Sequence, residues 1–334
     1  GDKLQRQRSP RRSLFCQYDS SRLPSCEVQP GFGLRHHHLW HNGEIGTFDA
    51  CGLQGRRKYM EDYFSIDSGT FASKAEKYEV NDMYGVFDGH LGKFVAKFLV
   101  SSFFVALKRS IGMTCYGEQD VLTVECVEKS LRRTFSFVDQ LILDSLWEDN
   151  KSGSTGTVFL RVKGDNEDSL VVGSVGDSRA VLCCDSGGNP VQMSSDHKPN
   201  VPEEQSRIET NGGFVEKRGV WRVQGQLAIS RSFGDKELKV KQYSISVPSI
   251  FNRTYKRSSD SEGYKFLILG TDGLWDVVSN ADAVGIVWNS LRVFGPEGQN
   301  NRHEFCHNSS KSLAQEAYVR DSRDNIGVMV IALW

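Results

Sequence analysis

Residues 83–107 read MYGVFDGHLGKFVAKFLVSSFFVAL, and the period of the apolar residues changes halfway along. A continuous apolar run, Met83 to Phe87, stops at Asp88-Gly89-His90; Phe94, Val95, Phe98, Leu99, Phe103 and Leu107 then recur at helical spacing. A second such series, Val124, Val127, Leu131, Phe135, Val138 and Leu141, follows. Both predict core-facing helices. Outward from them lie strand-like runs at Thr157 to Val162, Ser169 to Cys184, Phe266 to Gly270 and Ile326 to Leu333, several ending at Asp or Gly. A helical block flanked by two strand-rich regions suits an α+β layered domain better than regular βαβ alternation.

The chain has 334 residues, enough for one large domain with a tail or two small ones. A formal net charge of −1 gives no bulk attraction to nucleic acid or anionic membrane. The longest apolar stretches, such as Phe266 to Leu269 and Val328 to Leu333, fall far short of the roughly 20 residues of a membrane-spanning helix. The expectation is a soluble monomer with no integral membrane segment. Eight cysteines, irregularly spaced and without a C-x-x-C pair, indicate a reducing compartment, cytoplasmic or nuclear. Cys183 and Cys184 follow an apolar run, where neighbouring side chains face opposite ways and cannot share a metal.

Residues 1–44 differ from the rest. Lys3, Arg6, Arg8, Arg11 and Arg12 stand among Gln, Ser and Pro, the composition of a flexible basic extension. Gly1 in place of Met fits a processed or trimmed chain, which leaves open whether a targeting segment was removed. His36, His37, His38 and His41 read as a solvated tract in preference to a metal site. Residues 45–334 form the globular unit.

Acidic residues gather at strand ends: Glu61-Asp62 after Arg57, Asp88-Gly89 after Met83 to Phe87, Asp177 after Val171 to Val175, Asp272-Gly273 after Phe266 to Leu269, and Asp324 before the last apolar run. Any one Asp-Gly is foremost a turn former. Their recurrence is the signal, because a buried carboxylate without a cation costs several kcal/mol or shifts its pKa. Oxygen donors of this kind favour Mg²⁺ or Mn²⁺ over Zn²⁺.

These segments resemble the metal-dependent protein phosphatases of the 2C type. The likeness runs in order through residues 55–62 (GRRKYMED), 86–90 (VFDGH), 152–155 (SGST), 175–180 (VGDSRA), 196–199 (DHKP), 208–215 (IETNGGFV), 227–235 (LAISRSFGD), 271–276 (TDGLWD) and 323–325 (RDN). The resemblance implies a four-layer α-β-β-α sandwich, two antiparallel sheets flanked by helices, with a dinuclear site at one end. It implies dephosphorylation of phosphoserine and phosphothreonine in proteins by direct attack of a water activated by two Mn²⁺ or Mg²⁺ ions. Asp88 is implied to bridge both ions, the Gly89 carbonyl to join one, and Asp272 and Asp324 to hold the other. Glu61 and Asp62 act through metal-bound waters, and Asp177 belongs to a weaker third site of some members. Arg57 is implied to bind the substrate phosphate with its planar fork, and His90 to protonate the leaving oxygen. Arg56 and Lys58 compete for the phosphate role, and strand alternation is expected to turn them away.

Departures from the pattern are local. Leu91 stands where the family usually has the first Gly of a Gly-Gly pair, Gly327 where a Thr commonly follows Asp-Asn-Ile, and Gly156 where Ala is usual. Residues 290–315, rich in Asn, His and Gly, predict a variable surface loop. His197 reads as a structural residue, and Trp221 as part of a flap beside the site. Three other functions compete: a pseudophosphatase, disfavoured by retention of Asp88, Asp272, Asp324 and Arg57; a phosphoesterase acting on small molecules or nucleic acids, disfavoured by the absence of a basic stripe or stacking array in the catalytic region; and docking through the basic extension.

Overall fold

The computed structural model describes residues 36–40, 48–67, 71–72, 78–115, 122–147, 150–164, 166–184, 188–256, 264–294 and 301–334. Most of the basic extension lies outside them, as do the side chains of the histidine tract. Within that extension, β1 (His36–Trp40) pairs antiparallel with β2 (Phe48–Leu53).

Two antiparallel sheets form the centre. The first runs β1, β2, β16 (Ile326–Ala332), β15 (Tyr264–Gly270), β9 (Arg179–Cys184), β10 (Asn189–Gln192). The second runs β13 (Phe233–Gly234), β6 (Gly153–Ser154), β5 (Tyr78–His90), β7 (Gly156–Gly164), β8 (Glu167–Val175), β14 (Ser249–Lys256). Strands β3 (Asp62–Asp67) and β4 (Phe71–Ala72) also pair with β5. Helices α1 (Phe94–Cys115) and α2 (Val124–Ser145) cover the second sheet. Between β10 and β14 come α3 (Pro202–Thr210) and α4 (Lys236–Val240), and over the first sheet lie α5 (Asp272–Trp275), α6 (Asn280–Phe294) and α7 (Arg302–Val319).

Alternation along each strand builds the layers. On β5, Tyr84 and Val86 point between the sheets, whereas Met83 and Phe87 point at α1 and α2. Phe135 of α2 meets Phe103 and Phe233 with ring centroids 5.1 Å away in each case. Burying one such ring stabilises the fold by roughly 2–3 kcal/mol. Leu141, expected on the core face of α2, is instead exposed, and its neighbour Ile142 is buried.

The run from Ser169 to Cys184 is two strands. Gly176, at φ 91, breaks it, and the chain passes from the second sheet into the first, leaving Asp177 at the crossing. Cys183 packs towards the helices and Cys184 towards the inter-sheet core, as alternation requires. The surface loop predicted at residues 290–315 is overturned: α6 reaches Phe294, and α7 begins at Arg302. α7 buries Phe305, Cys306, Ser309, Ser310, Leu313, Ala314 and Ala317, so most of its core face is small or polar and the apolar period is faint. Among the described residues no helix is long and apolar enough to cross a membrane.

Candidate active site

The ends of β3, β5, β15 and β16 and the β8–β9 crossing converge on one cleft of about 1050 Å³. Asp62 opens β3 directly opposite Asp88 near the end of β5. Asp88 is fixed by its backbone: its amide donates to Thr155 Oγ1 at 3.0 Å, and its carbonyl accepts from the Thr155 amide at 2.9 Å. Asp272 begins the short α5, where Gly273 is obligatory, since a Cβ there would lie 1.8 Å from the Asn325 carbonyl oxygen. This close approach ties the Asp272 turn to the Arg323-Asp324-Asn325 turn.

Asp88, Asp177 and Asp272 each present an oxygen within 4.8 Å of the other two. The other acids predicted for the site face partners of their own. Arg57 Nη2 donates to Asp324. Glu61 Oε1 accepts from the Gly92 amide at 2.9 Å, and Asp62 from Thr271 Oγ1 at 2.9 Å. Gly89 donates its amide to the Glu61 carbonyl at 3.0 Å. Asp62, Asp88 and Asp272 all have pKa values pushed well above the ordinary carboxylate range, first by burial and then by the charge of neighbouring carboxylates, Asp324 acting on all three. Among the described residues, the cations in contact with these acids are Lys198, which donates to Asp177, and Arg57. An all-oxygen set with this excess of negative charge fits hard divalent cations.

Arg57, Arg56 and Lys58 lie in the loop between β2 and β3, so strand alternation is not what separates them. Arg56 pairs with Asp321 and lies 5.2 Å over the Tyr318 ring, and Lys58 sits 5.1 Å over Tyr59; Arg57 alone of the three lines the cleft. His90 closes β5, with Nε2 at 2.8 and 2.9 Å from the two carboxylate oxygens of Asp235. Burial opposes charge on the ring, but Asp235 overrides it and the His90 pKa rises. The pair fits because residue 153 is Gly: a Cβ there would lie 2.3 Å from His90 Nε2 and 2.4 Å from Asp235 Oδ2.

Sequence reasoning assigned no role to Asp235, Lys198 or Asn325, although all three stand inside the recognised motifs. Asn325 is the staple of the site loop: Nδ2 donates to the Gln54 and Tyr59 carbonyls at 2.8 and 2.9 Å, and Oδ1 accepts from the Glu61 amide at 2.8 Å. From the hairpin of β11 (Val215–Arg218) and β12 (Val220–Val223), Arg222 lines the cleft and Trp221 does not. His197 is structural: buried, it bonds the Gly176 carbonyl through Nδ1 at 3.0 Å and Ser249 Oγ through Nε2 at 2.8 Å. Burial, aided by Arg231, lowers its pKa to about 4.

A two-sheet sandwich with an acidic cleft at one end is the architecture of a known class of phosphatases. The sequence model of Protein phosphatase 2C matches residues 46–326, and the chain belongs to that family, whose members are metal-dependent hydrolases of phosphoproteins. Probable protein phosphatase 2C 45 of Oryza sativa subsp. japonica is 37% identical over 88% of this chain and 89% of its own length. Protein phosphatase 1L of Bos taurus is 34% identical over 84% of this chain and 70% of its own. Among solved structures, serine-threonine phosphatase 2C from Toxoplasma gondii superposes with a TM-score of 0.66 at 25% identity, covering 90% of this chain and 98% of that one.

Proposed function

We propose that this chain hydrolyses phosphoserine and phosphothreonine monoesters in proteins by direct attack of water, with Mn²⁺ or Mg²⁺ held by Asp88, the Gly89 carbonyl, Asp272 and Asp324. Asp177 belongs with a weaker third ion. The observation that supports this most is the meeting of Asp88, Asp177 and Asp272 within 4.8 Å, at a cleft where their mutual repulsion calls for cations. When bound, two such ions supply the charge that neutralises a phosphate dianion and the acidity that makes water a nucleophile at neutral pH.

The remaining roles fall to side chains of the cleft. Glu61 and Asp62 complete the acidic wall and hold water through their carboxylates. Arg57 offers a planar fork to two phosphoryl oxygens. His90 keeps Nε2–H on Asp235, so the proton for the leaving seryl or threonyl oxygen is carried on Nδ1; the rise in its pKa keeps that proton in place near neutral pH. Residues 45–334 are the unit that does this, and residues 1–44 an extension to it. A location in the cytoplasm or nucleus suits eight irregularly spaced cysteines without a C-x-x-C pair, and the chain acts as a monomer.

Hydrolysis of a phosphothreonine peptide by wild type and Asp272→Asn, each with Mn²⁺ and with chelator, tests the reading. Turnover is expected only in metal-loaded wild type. Equal turnover under all four conditions overturns it.

A further inference from the structure

Leu91 is the one departure from the family motif that reaches the cleft, and its backbone is strained. It sits at φ 52 with its side chain 71% exposed. A branched L-residue in the left-handed region carries a steric cost, and an exposed leucine recovers little of that by burial. The conformation is imposed from both sides: His90 is paired to Gly153 of β6, and the Gly92 amide is held by Glu61.

What the strain achieves is a junction. Leu91 lines the catalytic cleft and also a second, shallower groove of about 850 Å³, and Asn150 and Lys151 line both. The groove is apolar at its base, where Phe94 meets Trp147 edge-on with centroids 5.4 Å apart; Trp147 is 59% exposed. Lys93, Lys97 and Lys151 supply its charge, and no carboxylate is among the described residues that line it. Lys151 faces Glu237 at 3.2 Å on the cleft side, and Lys97 lies 5.8 Å over the Tyr63 ring.

We propose that this groove holds the stretch of the phosphoprotein substrate beside its phosphorylated residue, taking one large apolar side chain between Leu91 and Trp147 and favouring acidic neighbours. The inference rests on the phosphatase reading of the adjoining cleft. Continuity of the two hollows selects this occupant, and the basic rim matches a segment that carries a phosphate and acids. Reach sets the spacing. Leu91 follows Asp88 by three residues, so the two Cα atoms lie at most about 10 Å apart. An extended substrate therefore delivers to the groove a residue two to four positions from the phosphorylated one.

Phosphothreonine peptides with acidic flanks, carrying Leu or Ser at two, three or four positions on either side, are compared by kcat/KM with Mn²⁺. At one or more positions wild type is expected to prefer Leu about tenfold. Trp147→Ala and Leu91→Gly are expected to cut that ratio to about twofold or less, and Lys97→Glu to lower kcat/KM for acidic-flanked peptides relative to neutral-flanked ones. Turnover of every peptide by wild type with no preference for Leu overturns the groove and leaves the phosphatase reading standing. A Leu preference that survives in both Trp147→Ala and Leu91→Gly overturns it as well. Failure of wild type to turn over any peptide overturns the phosphatase reading, and the groove falls with it.

Discussion

The cleft acids and Glu204, both among the described residues, are electrostatic opposites. At the cleft, burial first, and then the charge of neighbouring carboxylates such as Asp324, raises the pKa of Asp62, Asp88 and Asp272. On α3 (Pro202–Thr210), Glu204 is buried, yet it accepts from Arg231 at 2.6 and 3.0 Å, Arg207 at 2.7 Å and Ser230 at 2.6 Å. Burial by itself would raise the Glu204 pKa; its hydrogen bonds, led by that from Arg231, hold it down at about 2. A buried carboxylate with its cations already supplied by the chain is architecture. One left facing other carboxylates is a place for something the chain does not supply.

The sharpest way to break this contrast is to delete an acid from each region and compare signs. Glu204→Ala leaves Arg207 and Arg231 without their partner and is expected to destabilise the protein by about 3–5 kcal/mol in urea unfolding at pH 7. Because its folded pKa is depressed, Glu204 contributes stability that is present above about pH 4.5 and is lost as pH falls through about 2. The acid limb of the wild-type stability curve should therefore be flatter in Glu204→Gln. If Glu204→Ala costs less than about 1 kcal/mol, the pairing is not the structural knot described here.

Asp88→Asn should move stability the other way. In chelator, removing one charge from the repelling set is expected to stabilise the fold by roughly 1–2 kcal/mol, while abolishing Mn²⁺-dependent turnover. An enzyme that gains stability as it loses activity has stored repulsion where function needs it. Destabilisation of the metal-free protein by Asp88→Asn would sink that account.

How much of this was legible in the sequence follows from the same contrast. Strong periodicity announced β5, α1 and α2, and the strand-end acids announced the centre, because burial and repeated Asp-Gly turns are local signals. α7 was hidden, since Ser309, Ser310 and Cys306 on its core face carry little apolar signal. Asp235 was hidden for another reason: its meaning arises only when β13 brings it to His90, 145 residues earlier in the chain. Arg57 was found by resemblance, but the reason its neighbours are excluded lies in the contacts of Arg56 with distant Asp321 and Tyr318 and of Lys58 with adjacent Tyr59, not in strand alternation.

The smallest expected effect concerns the rim of the cleft. Leu91→Gly relieves a left-handed backbone but adds freedom to the unfolded chain, and these terms largely offset each other. A net gain of about 0.5 kcal/mol is expected, read from urea midpoints at unchanged slope. Glu204 shows what a residue kept for stability looks like: every polar atom of its carboxylate is satisfied and its loss is costly. Leu91 has the reverse profile, exposed, strained and replaceable by a residue better suited to its backbone. A clear loss of stability in Leu91→Gly would mean that the side chain is packed for the fold, and its place beside the groove would then need no substrate to explain it.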